Sequence, residues 1–347
     1  MIRCGVCQRR CTIAPGQTGF CQTRINLEGK LYSTIYGVVA NIGLDPVEKK
    51  PLYHFYPGTQ VLSISTFGCN FRCKQCLNFS HTWGANKELE TLCQVPKIEA
   101  AEHLTKPEEI INLAKKYASP GIAFTYNEPT IWLEYVLEVA KLAKKNNLYT
   151  VFVTNGSFTT EALKLLGPYI DAMNIDFKGF SDKTYQKFGG FFGQIPEVTS
   201  VAVKNYHIHM EITTLLIPTI NDDWEEITKM TRWIVDNLGP KTPWHLSRFD
   251  PYLAPDPQFQ KIPPTPISSL RKAEEIGEKA GLQFIYTWTA GSEYFRTDTF
   301  CPKCGQLTVE RGLWQPKIVG VTKDGRCRKC GEDLNIRINP NENNPNE

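Results

Sequence analysis

Nowhere do about 18 apolar residues follow one another, the least that carries a helix across a bilayer, and the opening MIRCGVCQRRC has none of the apolar stretch of a secretion leader. Those two absences lead to the expectation of a cytoplasmic protein with no membrane partner. Charge of one sign is also scarce: 39 basic residues against 36 acidic ones leave a net +3. That balance argues against a nucleic-acid partner, which would call for a strongly basic face. With 41% hydrophobic and 22% charged residues, the chain has the composition of a folded domain, and its 347 residues suffice for one α/β core with small appendages. One shortage is local. The stretch STFGCNFRCKQCLN, Ser65 to Asn78, spaces Cys69, Cys73 and Cys76 as C-x3-C-x2-C with no fourth cysteine close behind, whereas cysteine metal sites normally close with four ligands.

Between residues 60 and 290, short β-rich runs alternate with helical patterns. The runs are VLSIST, IAFTY, YTVFVT, AMNIDF, IHMEITTLLI, WHLSRF and FIYTW. In TKPEEIINLAKKYA, Thr105 is expected as N-cap, with Pro107 in the first turn and Glu108 and Glu109 near the positive end of the dipole. Such alternation implies parallel strands joined by right-handed crossovers, and about seven repeats of apolar strands favour a partial or complete parallel (β/α) barrel. Its active site would gather after the strands' C-terminal ends: the cysteine loop, then NEP, NG, KG, PTIND and DPY.

Twelve cysteines would be unusual as disulfides in a reducing compartment, and eleven fall into three tight sets, with Cys93 apart. They read as metal ligands. Cys301 and Cys304, then Cys327 and Cys330, form two C-x2-C-G knuckles 22 residues apart, the pattern of a closed zinc ribbon. Cys4, Cys7, Cys11 and Cys21 are less regular and suit either a structural zinc or an auxiliary iron-sulfur cluster. For the central triplet, zinc would have to recruit His81 or Cys93 across an awkward loop. Three thiolates on a 4Fe-4S cube instead leave one iron open to a molecule with an amine and a carboxylate, such as S-adenosylmethionine (SAM).

These residues resemble the radical SAM superfamily, whose hallmark is C-x3-C-x2-C after the first strand of a partial barrel. More narrowly, YGVVANIGLDPVEKKPLYHFYPG, GCNFRCKQCLN, TYNEPTIW, TNG and NIDFKGF, with both terminal cysteine sets, look like the AmmeMemoRadiSam system radical enzymes. That group is related to the activating enzymes of pyruvate formate-lyase. The resemblance covers nearly the whole chain. It implies a radical SAM oxidoreductase-type enzyme in which a 4Fe-4S cluster on Cys69, Cys73 and Cys76 passes one electron to SAM, releasing methionine and a 5'-deoxyadenosyl radical that takes hydrogen from a substrate. It implies a one-electron donor such as flavodoxin or ferredoxin, and a protein substrate or pathway partners, since the group's name reflects association with two other proteins.

By the same likeness Thr125, Asn127 and Glu128 stand in the turn that meets the cofactor's amino group. Asp176 and Lys178 match an Asp-x-Lys pair for its ammonium and carboxylate, His245 matches a late-strand histidine reaching that carboxylate, and Asn78 a ribose contact. Three departures stand out. Tyr126 and Asn127 replace two usual glycines, Gln75 replaces an aromatic residue before the third cysteine, and Val153 replaces the aspartate of a cation site in VTNG. The last of these, and two metal modules expected to crowd the barrel, weigh against an activase that installs a glycyl radical on a partner. A third alternative is a zinc-stapled binding protein without catalysis.

The expected organisation is an N-terminal four-cysteine module over 1–30, a connecting segment over 31–59, the barrel over 60–292, a zinc-ribbon-like module over 293–335 and a disordered tail over 336–347. The segment DPVEKKPLYHF, 45–55, either closes the barrel floor, contacts substrate or merely connects modules.

Overall fold

The computed structural model describes residues 1–83, 104–289, 294–312 and 314–339. Cys93 and residues 340–347 of the expected tail lie outside them. An eight-stranded sheet runs in sequence order: β1 (Asn41–Pro46), β2 (Gln60–Ser65), β3 (Gly121–Phe124), β4 (Tyr149–Thr154), β5 (Ala172–Asp176), β6 (His209–Leu216), β7 (Trp244–Arg248) and β8 (Ile285–Trp288). All seven strands expected from the sequence are present. β2 through β8 are parallel, while β1 joins β2 antiparallel, Ile42 opposite Ile64. The sheet is an open arc with β1 and β8 at its edges, so the barrel is partial.

Crossovers are made by helices α1 (Pro107–Lys116), α2 (Leu133–Lys145), α3 (Thr160–Leu166), α4 (Asp182–Phe188), α5 (Ile195–Tyr206), α6 (Trp224–Leu238) and α7 (Ile267–Ala280). Strand residues alternate between two cores. Ile122, Phe124, Phe152, Met173 and Ile175 pack outward under the helices, and Val61, Ala123, Val151 and Ala172 pack inward. Burial on both faces explains why the strands read as nearly continuous apolar runs.

The cap of α1 corrects the expectation: Lys106, not Thr105, holds the N-cap. Pro107 forces the preceding residue to stay extended, and the Glu109 carboxylate reaches back to accept from the Lys106 N–H at 2.6 Å.

The inner core is closed by residues 47–56. Val47, Leu52 and Phe55 are buried against Val61, Tyr149 and Ala172 near the strand starts, so this segment forms the barrel floor. Below it stand the C-terminal strands β9 (Thr299–Phe300), β10 (Leu307–Arg311) and β11 (Pro316–Ile318), whose core joins Tyr53, Phe284 and Tyr286. The C-terminal module therefore sits at the floor and does not crowd the mouth. Residues 336 and 337, expected in the disordered tail, are held in the fold. Leu334 and Ile336 alternate into that core, and the Tyr56 N–H donates to the Arg337 carbonyl at 2.8 Å.

Candidate functional site

β2 ends at Ser65 and the cysteine loop follows, held from several sides by polar bonds that fix its backbone. The Arg72 guanidinium donates to the Cys69 carbonyl at 2.7 Å and the Phe71 carbonyl at 2.9 Å. From α4, Gly189 and Phe188 carbonyls accept from the Arg72 and Lys74 N–H groups at 3.0 Å each. Gly189 has φ +88°, and a Cβ on it would lie 2.2 Å from the Arg72 carbonyl oxygen, so no larger residue permits this approach. Asn70 is fully buried; it donates to Ser157 Oγ at 2.7 Å and accepts from Asn155 Nδ2 at 2.9 Å, tying the loop to the end of β4. Polar groups also approach two of the sulfurs. The Phe71 N–H points at Cys69 Sγ, 3.4 Å away, and Thr82 Oγ1 lies 3.5 Å from Cys76 Sγ.

The loop after β3 lies alongside. Asn127 Nδ2 donates to the Gly68 carbonyl at 3.0 Å, and Asn78 Nδ2 donates to the Tyr126 carbonyl at 2.6 Å. Thr125 is buried, its N–H bonded to the Ile64 carbonyl at 3.1 Å. The buried Glu128 carboxylate accepts from Thr130 N–H (3.0 Å), Asn155 N–H (2.7 Å) and Thr154 Oγ1 (2.8 Å). All of its reach goes into joining the β3 and β4 turns. Tyr126, in place of a usual glycine, still takes the left-handed conformation at φ +69°.

After β5, Lys178 Nζ and Asp176 Oδ2 pair at 2.9 Å. Burial alone would lower the Lys178 ammonium's pKa, but Asp176 and the Cys73 thiol raise it above its usual value. Burial likewise pushes Cys73 up to about 12, with Lys178 opposing and Asp176 and Glu128 adding to it. The loops after β2, β3 and β5 thus converge on Cys73.

His245 stands in a different setting. Its Nε2 donates to Glu211 Oε2 at 2.6 Å, and its ring meets Tyr53 edge-on at 4.7 Å, in the floor cluster. No hydrogen bond or ion pair joins it to Asp176 or Lys178 among the described residues.

Two side-chain amide oxygens in the site lack a donor among the described residues: Gln75 Oε1 and Asn127 Oδ1, both buried. A buried acceptor left unmet costs about 1–3 kcal/mol, so both fit a site completed by a bound polar group. Three thiolates with a neighbouring ammonium and carboxylate are also the donor set that a cube and an amino acid cofactor need. Sequence reasoning missed Asn70 and Asn155, because only the fold brings these two asparagines together.

The C-terminal cysteines form a second centre. The sulfurs of Cys301, Cys304, Cys327 and Cys330 all lie within 4.8 Å of one another, with Cys301 to Cys330 at 3.5 Å and Cys304 to Cys327 at 3.7 Å. One tetrahedral ion fits between them.

Comparison with known proteins matches residues 63–233 to the Radical SAM superfamily. An uncharacterized protein of Methanocaldococcus jannaschii is 38% identical, over 96% of this chain and 95% of its own. The pyruvate formate-lyase-activating enzyme of Clostridium pasteurianum is 25% identical, over 49% of this chain and 67% of its own. Among solved structures, a radical SAM methyltransferase from Sphaerobacter thermophilus is similar at 14% identity and TM-score 0.47, covering 69% of this chain and 68% of that one.

Proposed function

Because this chain belongs to the radical SAM superfamily, we propose that Cys69, Cys73 and Cys76 hold a 4Fe-4S cluster beside which the barrel mouth binds SAM. When bound, that pair supplies one-electron cleavage of a carbon–sulfur bond and removal of a hydrogen atom from an unreactive C–H position. The observation that carries the reading is the convergence of the Asp176–Lys178 pair and the Asn127–Glu128 turn on Cys73. Lys178 stays a cation and can take a carboxylate, while Asp176 accepts from an ammonium group. Glu128 holds the turn that presents Thr125 and Asn127. Gln75 Oε1 and Asn127 Oδ1 offer acceptors to the cofactor's N–H groups, a polar contact where an aromatic face is usual. The C-terminal cysteines hold zinc as a structural clamp, and a flavodoxin or ferredoxin supplies the electron.

A narrower reading, an activase installing a glycyl radical on a protein partner, is favoured by the likeness to the Clostridium activating enzyme and by the C-terminal module standing at the floor, clear of the mouth. Val153 in the place of the family's aspartate counts against it.

Anaerobic reconstitution tests the main reading. Broad absorption near about 400 nm, typical of cysteine-bound iron-sulfur clusters, should fall in Cys69→Ala, and reductant should convert SAM to methionine only in the parent chain. Methionine release by Cys69→Ala at the parent rate would refute it.

A further inference from the structure

Four thiols take no part in the site above. Cys4, Cys7, Cys11 and Cys21 line one pocket together with Arg9 and Asn70. A zinc ion bound at about 2.3 Å by each of four thiolates draws the sulfurs to about 3.8 Å apart, the spacing that the C-terminal set displays. The N-terminal set does not: among the described residues no three of its sulfurs come within 4.8 Å of one another, although all four face the same pocket. Among the described residues Cys69, Cys73 and Cys76 likewise form no group within 4.8 Å. Thiolates bound to separate irons of a cluster stand farther apart than thiolates sharing one ion.

The pocket also abuts the cysteine loop. Arg9 Nε donates to the Asn70 carbonyl at 3.1 Å, the Asn70 side chain hydrogen-bonds Cys7, and Cys69 Sγ lies 3.9 Å from Asn70 Oδ1. One buried amide therefore touches a sulfur of each set. Arg9 and Arg24 place positive charge beside these thiols, and Thr23 Oγ1 donates to Cys21 Sγ at 3.1 Å. Cations and sulfur-directed hydrogen bonds are the means by which a protein stabilises the reduced state of such a centre.

We infer that Cys4, Cys7, Cys11 and Cys21 bind a second iron-sulfur cluster, adjoining the first across Asn70, so that the chain carries two one-electron centres and one zinc. The inference extends the function proposed above, but its outcome is read separately.

The test measures iron, acid-labile sulfide and zinc in the anaerobically prepared full chain. The triple variant Cys69→Ala, Cys73→Ala, Cys76→Ala should keep cluster absorption and roughly half the parent's iron, two clusters being reduced to one. Cys4→Ala with Cys7→Ala should lose the other half and keep the triplet's cluster. Zinc should be close to one per chain. A triple variant devoid of iron, or a parent with two zinc ions per chain, overturns the inference, and neither measurement depends on the N-terminal variant folding. If instead the parent carries two clusters and one zinc but cleaves no SAM under reductant, the second cluster stands and the SAM reading is at fault.

Discussion

Tyr126 holds a left-handed backbone at φ +69°, which costs a non-glycine residue about 1–2 kcal/mol. Its side chain shows what offsets that cost. The phenol donates to the Asp45 carboxylate on β1, and the Lys50 ammonium, itself 2.7 Å from Asp45, lies 4.5 Å from the Tyr126 ring centroid. Tyr126→Phe keeps the strain and removes the anchor, so it should cost about 1–2 kcal/mol in a urea titration. An unchanged midpoint would mean that the phenol does not hold the turn. Glu128→Gln replaces an anionic acceptor of three bonds with a neutral group offering one oxygen. A loss of about 2–3 kcal/mol is expected by the same titration, and a loss below half a kilocalorie would show the turns to be joined by other means. The three cysteines stand out in sequence by their spacing, whereas the Asp-x-Lys pair and the TYNEP turn are singled out by family likeness, and the fold sets both beside the cysteine loop. The substitution at Tyr126 reads as a departure in sequence, since Asp45 stands 81 positions away.

At the scale of elements, the strands and helices were legible because each apolar run is buried on both faces and each helix carries one apolar stripe. The floor was not. Residues 45–55 carry Asp45, Glu48, Lys49, Lys50 and His54, and nothing local shows that Glu211, on β6, accepts from the Tyr53 and His54 N–H groups at 2.9 and 2.8 Å. His209 and His245 donate to the same carboxylate, at 3.0 and 2.6 Å. Burial drives His54 down to about 3 from its ordinary 6.5; His209 is also lowered by burial. Burial would raise Glu211, yet its two histidines hold it below the carboxylate range. The folded chain thus binds fewer protons at all three groups than the unfolded one. The His54 contribution is whole above pH 6.5 and is lost as pH falls from there towards 3, and that of His209 is lost in the same direction. For His54 the loss is up to about 1.4 kcal/mol per pH unit within that window, and His209 adds a loss of the same sign. Melting midpoints should therefore fall from pH 7 to 5, and the fall should be shallower in His54→Gln, whose neutral side chain takes up no proton. Parallel curves for the two proteins would remove His54 from the account. The sequence also gave no warning of Gly189, whose missing Cβ lets the end of α4 reach the Arg72 carbonyl.

Across the whole molecule, the floor links the C-terminal cysteines to the barrel. Arg311, on β10, donates to the Tyr53 carbonyl at 2.6 Å and lies 4.5 Å from the Tyr53 ring centroid. His54 Nδ1 donates to the Leu334 carbonyl at 3.0 Å, which leaves Nε2 to accept from the Tyr286 hydroxyl at 2.5 Å. Leu334 follows Cys330 by four residues, and Cys301 and Cys327 share its core. Releasing the zinc proposed there should therefore loosen the floor and leave the cysteine loop, fixed by Asn70, Arg72 and α4, in place. If about a third of the roughly 10 kcal/mol that a structural zinc contributes reaches the floor, Cys327→Ser should lower the melting midpoint by about 5 °C. Amide exchange at 52–56 should quicken as the Arg311 and Leu334 partners come free, while the Cys69 loop's cluster absorption at room temperature stays at the parent's level. Equal loss of floor protection and cluster absorption would instead show that the two ends of the barrel unfold as one cooperative unit.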